Sequence, residues 1–182
     1  MRRMWAAGAA VLICLALGAM PTLAQDEVVV PGGAIAVSGT ASAIPVGTGS
    51  SEDIDGVREA RAVGYEAVFD ASDPRASGRG TMTLDANVHP NADATAERGP
   101  EASWGTIRFE NDEGAWDGGW AAFGLGTAAS GVSEFWFAGE GAYEGHTLAL
   151  RGISDLVVDA DGVMSFDFDG WIFPSVIPVT LP

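Results

Sequence analysis

The chain contains no lysine and only one cysteine, Cys14, and its nine basic side chains are all arginine. Against these stand 25 acidic residues, which give the 182-residue chain a formal net charge of −16. A surface with this balance repels nucleic acid and anionic lipid headgroups. We therefore expect no nucleic-acid partner. The acidity favours solubility, cationic partners or a saline environment.

Recognisable catalytic and metal-binding motifs are also missing. The sequence has no G-x-S-x-G nucleophile motif, no zinc-ligand spacing and no phosphate-binding glycine loop before a helix. Asp159-Ala160-Asp161-Gly162 begins like a calcium loop, but Met164 stands where an EF-hand requires glycine. This stretch is better explained as a hairpin turn. We expect no metal ion and no organic cofactor.

The N-terminus has the pattern of an export signal. Arg2 and Arg3 precede the uncharged apolar stretch Met4–Met20, Pro21 breaks it, and small residues lead up to Ala24. This order predicts a secretory signal peptide over residues 1–24, cleaved after Ala24, and an extracellular or periplasmic protein. A retained membrane anchor is the alternative, although the apolar stretch is near the short limit for a span. After cleavage we expect no membrane association.

The rest of the chain divides by composition into three parts. Residues 25–55 are rich in Gly, Ala, Pro and Ser, which predicts a flexible N-terminal arm. Within it, Val28-Val29-Val30 and Ile35-Ala36-Val37 offer an additional edge strand. Residues 56–173 have the texture of a folded β-domain, and residues 174–182 form an apolar C-terminal tail.

Short runs of alternating apolar and polar residues recur from Gly56 onward, and no stretch has a sustained helical period. Asn111–Gly114 and Asp161-Gly162 are predicted hairpin turns, and Asp73-Pro74-Arg75 is a predicted corner. The long polar segment from Asn87 to Pro100 is predicted to be the most mobile loop. Eight strands are expected, near Glu59–Phe69, Gly78–Asn87, Ser103–Glu110, Ala115–Leu125, Ser133–Gly139, Gly141–Leu150, Ile153–Asp159 and Val163–Phe173.

These strands predict an all-β fold, an antiparallel closed barrel of about eight strands. Closure removes the exposed sheet edges that would pair between molecules. A sandwich of two sheets is the alternative. Glycines inside the predicted strands favour the barrel, because they permit the bends that closure requires. They are Gly118, Gly119, Gly139, Gly141, Gly145 and Gly170.

Several motifs occur in an order that resembles small bacterial barrels of the allene oxide cyclase and dirigent group. The order is Trp104-Gly105-Thr106, Asn111–Gly114, Trp116–Trp120 and Gly139–Gly145, and Ser72–Gly78 resembles the opening corner of the same group. The resemblance implies an eight-stranded, calycin-like barrel with a mostly apolar cavity. Some members of the group are cyclases or steer a radical coupling. No catalytic residue of those enzymes is matched to a position here.

Aromatic residues are the main candidates for a binding site, because an apolar wall with a few polar groups is how small-molecule cavities are built. The alternative is that the rings simply fill a small barrel. Polar groups in and next to the motif Gly139–Gly145 are candidates for the specificity of ligand binding. The alternatives are that Tyr143 plugs the barrel end and that His146 is structural. The candidate ligand-binding residues are Tyr143, His146, Glu144, Arg108, Trp116, Trp120 and Trp136.

Three functional hypotheses follow. The first is a secreted barrel that binds a small apolar or aromatic ligand in its interior. The second is a cyclase or isomerase without a cofactor, which works by confining its substrate with Tyr143, Glu144 or His146 as the polar groups. The third is an extracellular structural or interaction protein tethered by the N-terminal arm. The sequence leaves the oligomeric state open.

Overall fold

The computed structural model describes residues 33–89, 100–125, 131–153 and 157–174. The predicted signal peptide over residues 1–24 lies outside this part of the chain. So do the tail after Pro174 and most of the predicted mobile loop between Asn87 and Pro100.

The described residues form an all-β structure with ten strands and one short 3-10 turn, Pro74–Ala76. The described residues include no helix that is long and apolar enough to cross a bilayer. The strands are β1 Ile35–Pro45, β2 Ser50–Ile54, β3 Val57–Ala71, β4 Gly78–Val88, β5 Pro100–Glu110, β6 Gly114–Leu125, β7 Gly131–Gly141, β8 Thr147–Gly152, β9 Val157–Val158 and β10 Met164–Phe173.

Eight of these strands close into an antiparallel barrel, as the sequence predicted. Strands β3 to β8 pair in order, β8 pairs with β10, and β10 pairs with β1. Strand β1 closes the ring because its other edge pairs with β3, from Gly39–Ala71 to Pro45–Tyr65. Strand β2 extends β3 as a hairpin, and β9 pairs only with β10.

The predicted start of the barrel at residue 56 is wrong. Strand β1 lies inside the segment predicted as a flexible arm, and it is hydrogen-bonded on both edges. Val37, Ala41 and Ala43 point inward and are almost fully buried. The low charge and small residues of this stretch suggested a linker. In the barrel, the same small side chains let β1 fit against the aromatic core.

The strand predicted over Gly141–Leu150 is also wrong in its first half. Strand β7 continues to Gly141, and residues 142–146 form a turn before β8 begins at Thr147. Gly141 and Gly145 both have positive φ angles, 66° and 82°, which glycine adopts without steric cost. In the predicted strand Ile153–Asp159, the described part contains only the two-residue β9.

The predicted alternation and turns are confirmed. In β10, Phe168 and Ile172 are buried, whereas Ser165 and Asp167 are exposed. Gly162 completes the last hairpin turn with φ 79°.

Asp159 serves that turn by capping it. Its carboxylate accepts hydrogen bonds from the backbone N–H groups of Asp161 and Val163, each at 2.9 Å. The interpretation of this stretch as a turn is therefore confirmed.

Inward-facing glycines allow neighbouring strands to approach closely, as the sequence predicted for Gly118 and Gly170. A Cβ atom at Gly118 would collide with the carbonyl oxygen of Trp136, and one at Gly170 with that of Ala149. These contacts involve backbone, which a side-chain rotation does not relieve. The glycines therefore belong to the closure of the barrel.

The two ends of the barrel differ in the connections they carry. We call the end with the β3–β4, β5–β6 and β7–β8 connections the Tyr143 end. The opposite end, where β1 leads into β2 and where β4 leads into β5, is called the Trp120 end.

Candidate functional site

The Tyr143 end of the barrel is closed by a stack of two rings. Tyr143, in the turn after β7, is 3% exposed and lies on Trp116 with ring centroids 5.0 Å apart and planes at 11°. Its hydroxyl donates a hydrogen bond to Asn111 Oδ1 at 2.7 Å. Burial is the main cause that raises the pKa of the Tyr143 phenol. The hydroxyl is therefore occupied and neutral, and this residue acts as a plug.

Asn111 links three connections at this end. Its side-chain N–H donates to the carbonyl oxygens of Ser77 at 2.9 Å and Pro74 at 3.2 Å. Its Oδ1 also accepts the backbone N–H groups of Glu113 and Gly114 in the β5–β6 turn. One amide thus joins the 3-10 turn, its own hairpin and the turn that carries Tyr143. The sequence indicated Asn111 as a turn residue, but nothing in the local pattern identified these distant partners.

Asp73 and Arg75 fix the 3-10 turn over the buried indole. Asp73 caps the turn by accepting the backbone N–H of Arg75 at 3.0 Å, and its carboxylate pairs with the guanidinium at 2.6 Å. This side-chain hydrogen bond holds the pKa of Asp73 below its usual value. The carbonyl oxygen of Arg75 accepts the indole N–H of Trp116 at 2.7 Å. The polar groups at this end are therefore paired with one another.

Glu144 and His146 do not face the barrel interior. Glu144 is exposed in the turn. His146 is half-buried, its Nδ1 lies 3.3 Å from the carbonyl oxygen of Tyr143, and its backbone bonds to the same turn. The sequence placed both on a strand, where alternation would have put them beside Leu148. Their position in a turn instead separates them from the apolar interior.

Arg108 and Trp136 lie on the outer face of the barrel. Arg108 is flanked by the buried inward residues Ile107 and Phe109, and its side chain pairs outside with Glu140 at 2.6 Å. Trp136 lies between the buried Phe135 and Phe137 and is half-buried. Neither side chain therefore belongs to an interior ligand site.

The middle of the barrel is filled by phenylalanine rings. Phe69 and Phe109 stack with centroids 4.4 Å apart, and Phe137 meets Phe109 edge-on at 5.2 Å. Phe168 lies 5.9 Å from Phe69. All four are at most 3% exposed. Such packing leaves no apolar surface here for a ligand, and it agrees with the alternative that rings fill this part of the barrel.

A second ring stack lies toward the Trp120 end. Phe135 lies between Trp120, at 6.2 Å, and Phe166, at 5.3 Å, and both pairs are stacked. The indole N–H of Trp120 donates to the carbonyl oxygen of Thr83 at 3.0 Å, which fixes the ring. Trp120, at 6% exposure, is therefore the one predicted site residue in the part of the core that lies toward this end. The sequence counted Phe135 and Phe166 among the rings but did not assign them to a site.

Half-buried apolar side chains surround this second stack. They pack against the core but keep part of their surface exposed. The residues with this character at the Trp120 end are Tyr65, Leu84, Ala122, Met164 and Phe166.

The rim of the same end is apolar as well. Among the described residues, every large hydrophobic side chain that is exposed lies in the Trp120 half or on the β2–β3 hairpin beyond it. Clustering of this kind marks a contact or ligand surface, whereas scattered exposed residues do not. These residues are Ile44, Val46, Ile54, Trp104, Phe123, Val132, Ile153 and Val157.

No group of three or more acidic, histidine or cysteine side chains in the described ranges has a geometry that suits a metal ion. Comparisons of the chain with protein-family models, with curated proteins and with solved structures found no match. The class of the protein is therefore given by its fold alone, a closed eight-stranded antiparallel β-barrel. The resemblance to allene oxide cyclase and dirigent barrels stays a prediction.

Proposed function

We propose that the protein binds a small apolar or aromatic molecule at the Trp120 end of the barrel. The stacked rings of Trp120, Phe135 and Phe166 form the floor of this site. The ligand stacks on these rings and is covered at its sides by Tyr65 and Met164. Taken together with the predicted signal peptide, this makes the protein an extracellular or periplasmic ligand carrier.

One observation carries the proposal, the unequal distribution of apolar surface between the two ends. At the Tyr143 end, the rings are buried and the polar groups are paired. At the Trp120 end, the inward-facing rings of Phe166 and Tyr65 are only half-buried, and the outer surface of the same half carries the exposed apolar rim. Exposed apolar surface costs about 25 cal/mol per Å², so a ligand that covers it gains affinity from its burial.

Small side chains line the interior at this end. Ala43 and Ala86 are buried inward residues near the ends of β1 and β4, and Ala122 occupies the corresponding level of β6. A few polar groups lie among these apolar side chains. Ser103 is a buried polar side chain on β5, and Tyr65 presents a phenol from β3. An apolar wall with few polar groups suits a largely hydrophobic ligand.

The first experiment compares the mass of the protein, purified from its own host, under native and denaturing conditions. A small mass that is lost on unfolding is expected, and it identifies the ligand. A titration with a library of hydrophobic compounds, followed by tryptophan fluorescence, extends the test to recombinant protein. Absence of a bound mass together with absence of any fluorescence response across the library contradicts the proposal.

The cyclase or isomerase hypothesis loses support from the positions of its polar candidates. Glu144 and His146 lie in a turn at the Tyr143 end, and the Tyr143 hydroxyl is occupied by Asn111. A confined reaction at the Trp120 end would need other groups, of which Tyr65 is one. The interaction-protein hypothesis would use the apolar rim as its contact surface, and the native-mass experiment separates it from ligand binding.

A further inference from the structure

A cleft opens on the outer surface of the barrel where strand β3 separates from β1. The ladder between these strands ends at the pair Gly39–Ala71. Beyond it, the backbone N–H of Ser72 donates to the carbonyl oxygen of Ser38 at 2.7 Å, and the N–H of Ser38 donates to Ser72 Oγ at 3.1 Å. The cleft has a volume of about 270 Å³.

Trp171 forms the aromatic wall of this cleft. It lies on the outer face of β10, and its neighbours in register are Ala36 on β1 and Ala149 on β8. Because both neighbours are alanine, no large side chain stands beside the indole in that row. Part of the ring surface remains exposed.

A second tryptophan continues the same row across the sheet. Ala149 pairs on its other side with Trp136 of β7, so the order along the outer face is Trp136, Ala149, Trp171. Two strand spacings separate the tryptophans, which is about 10 Å. The outer face therefore presents two aromatic rings, and the small side chain of Ala149 lies between them.

Charged and hydroxyl groups border the aromatic wall. Asp169 lines the cleft and pairs with Arg151 of β8 at 3.2 Å, and both side chains are about half exposed, at 47% and 60%. Ser38, the register partner of Asp169 on β1, and Ser72 also line the cleft. The ion pair is neutral as a whole, yet it presents both hydrogen-bond donors and acceptors. It thus suits a ligand with many hydroxyl groups and no net charge.

We propose that this cleft is a binding site for a neutral carbohydrate, with one sugar ring stacked on Trp171. A sugar has an apolar C–H face and an edge of hydroxyl groups. The C–H face is attracted to the negative face of an indole, and the hydroxyls bond to Asp169 and Arg151. The volume lies below the range of about 300–1,000 Å³ that drug-sized ligands occupy. It therefore fits a single ring, and the chain of sugars continues toward Trp136.

Overall charge narrows the class of sugar further. The protein has a formal net charge of −16, which repels uronic acids and sulfated sugars. Neutral hexose and N-acetylhexosamine chains are therefore the expected ligands, and acidic oligosaccharides of equal length are expected to bind at least tenfold more weakly. This site is distinct from the Trp120 end, and neither proposal depends on the other.

The test is a titration calorimetry series with neutral β-linked oligosaccharides of two to six hexose or N-acetylhexosamine units. Trp171→Ala is expected to lower the affinity for the tightest-binding oligosaccharide at least tenfold. Asp169→Asn is expected to lower it about threefold or more. Trp104→Ala is the matched control, because Trp104 is an outer-face tryptophan outside the cleft and is 39% exposed. It is expected to leave binding unchanged.

A second variant covers the possibility that Trp171→Ala fails to fold. Ala36→Leu adds a side chain at an exposed cleft position without removing an aromatic ring, and it is expected to weaken binding at least fivefold. The proposal is overturned if none of these sugars binds at millimolar concentration, or if Ala36→Leu and folded Trp171→Ala bind as well as the wild type. Loss of sugar binding with intact binding of the apolar ligand confirms that the two sites are separate.

Discussion

Tyr143 lies flat on Trp116, with ring centroids 5.0 Å apart and an angle of 11° between the ring planes. The indole is anchored below by the carbonyl oxygen of Arg75, and the phenol is anchored above by Asn111. Both rings are at most 3% exposed. This stack closes one end of the barrel, so a ligand has to approach the interior from the opposite end. Four predictions about the stability of the protein test this account. Three concern the closed end, and the fourth concerns an irregular position in strand β3 near the other end.

Asn111→Ala should lower the free energy of unfolding by about 3 kcal/mol, because several buried or half-buried partners lose their hydrogen bonds at once. The measurement is urea denaturation at pH 7. Asn87→Ala is the control, since among the described residues Asn87 Oδ1 accepts one hydrogen bond, from Arg61 at 2.8 Å. We expect it to cost about 1 kcal/mol or less. Equal losses in both variants would show that Asn111 does not link the closed end.

Tyr143→Phe should make the unfolding free energy less sensitive to alkaline pH. Burial raises the pKa of Tyr143 above its ordinary value of 10.0. The stability that depends on the neutral phenol is therefore fully present below pH 10.0 and is lost as the pH rises through the folded-state pKa. Below pH 10.0, the variant is expected to be about 1 kcal/mol less stable than the wild type, because the hydrogen bond to Asn111 is gone.

The measurement is denaturant unfolding of both proteins between pH 8 and pH 11. The difference in unfolding free energy between the two proteins is expected to narrow as the pH rises above 10.0, the ordinary pKa of tyrosine. Parallel curves across the whole range would mean that the phenol is not buried in the folded protein.

Asp73→Asn should destabilise the protein at neutral pH by about 1 kcal/mol, a modest value because Arg75 is about one-third exposed. The side-chain hydrogen bond from Arg75 lowers the pKa of Asp73. Its contribution is therefore present above the unfolded-state value of 3.8 and is lost as the pH falls through the folded-state pKa. The two proteins should thus become equally stable in acid.

Thermal unfolding between pH 7 and pH 2.5 checks this prediction. Asp53→Asn is the matched control. Asp53 also pairs with an arginine, Arg58 at 3.1 Å, but both side chains are well exposed. No measurable change is expected there. A pH-independent loss in Asp73→Asn would contradict a stabilising role of the charge, because asparagine still offers Oδ1 to the backbone N–H of Arg75.

Ala62→Gly should stabilise the protein by about 0.5–1 kcal/mol, since Ala62 has a φ of 54°, where a side chain is strained and glycine is not. The strain occurs at the register shift between Ala60 and Val63 in the β3–β4 ladder, and Asp85 holds it by accepting the N–H of Ala62 at 2.8 Å. Ala60→Gly, in regular strand, should instead destabilise by about 1 kcal/mol. Urea unfolding midpoints measure both, and a loss of stability in Ala62→Gly would contradict the assigned strain.

The sequence predicted the barrel because its signals are local. Alternation in Met164–Phe173, the Asp161-Gly162 turn and inward glycines such as Gly118 all act within one strand or hairpin. Strand β1 was predicted only in part, as an additional edge strand over Ile35-Ala36-Val37, for the opposite reason. Ile35–Pro45 has little charge and many small residues, and only its pairing with two strands distant in sequence makes it part of the core.

The candidate site was harder to predict than the fold. Which end of a barrel is closed depends on contacts such as Tyr143 to Asn111, which are 32 residues apart. A strand assigned over Gly141–Leu150 placed His146 on the same face as Leu148, although positive φ angles at Gly141 and Gly145 form a turn. Trp120 was identified correctly as a ring of the core, but its role at one end follows only from the closed ring of strands.

The measurement that tests the central claim most directly compares ligand affinity in two neighbouring alanine variants. Ala122 packs inward against the core at the Trp120 end, whereas Ala121 is exposed on the outer face of the same strand. Ala122→Phe should fill the site and lower the affinity for the apolar ligand at least tenfold. Ala121→Phe should bind the ligand with the affinity of the wild type. Unchanged affinity in folded Ala122→Phe, or an equal loss in both variants, would contradict a ligand site at this end of the barrel.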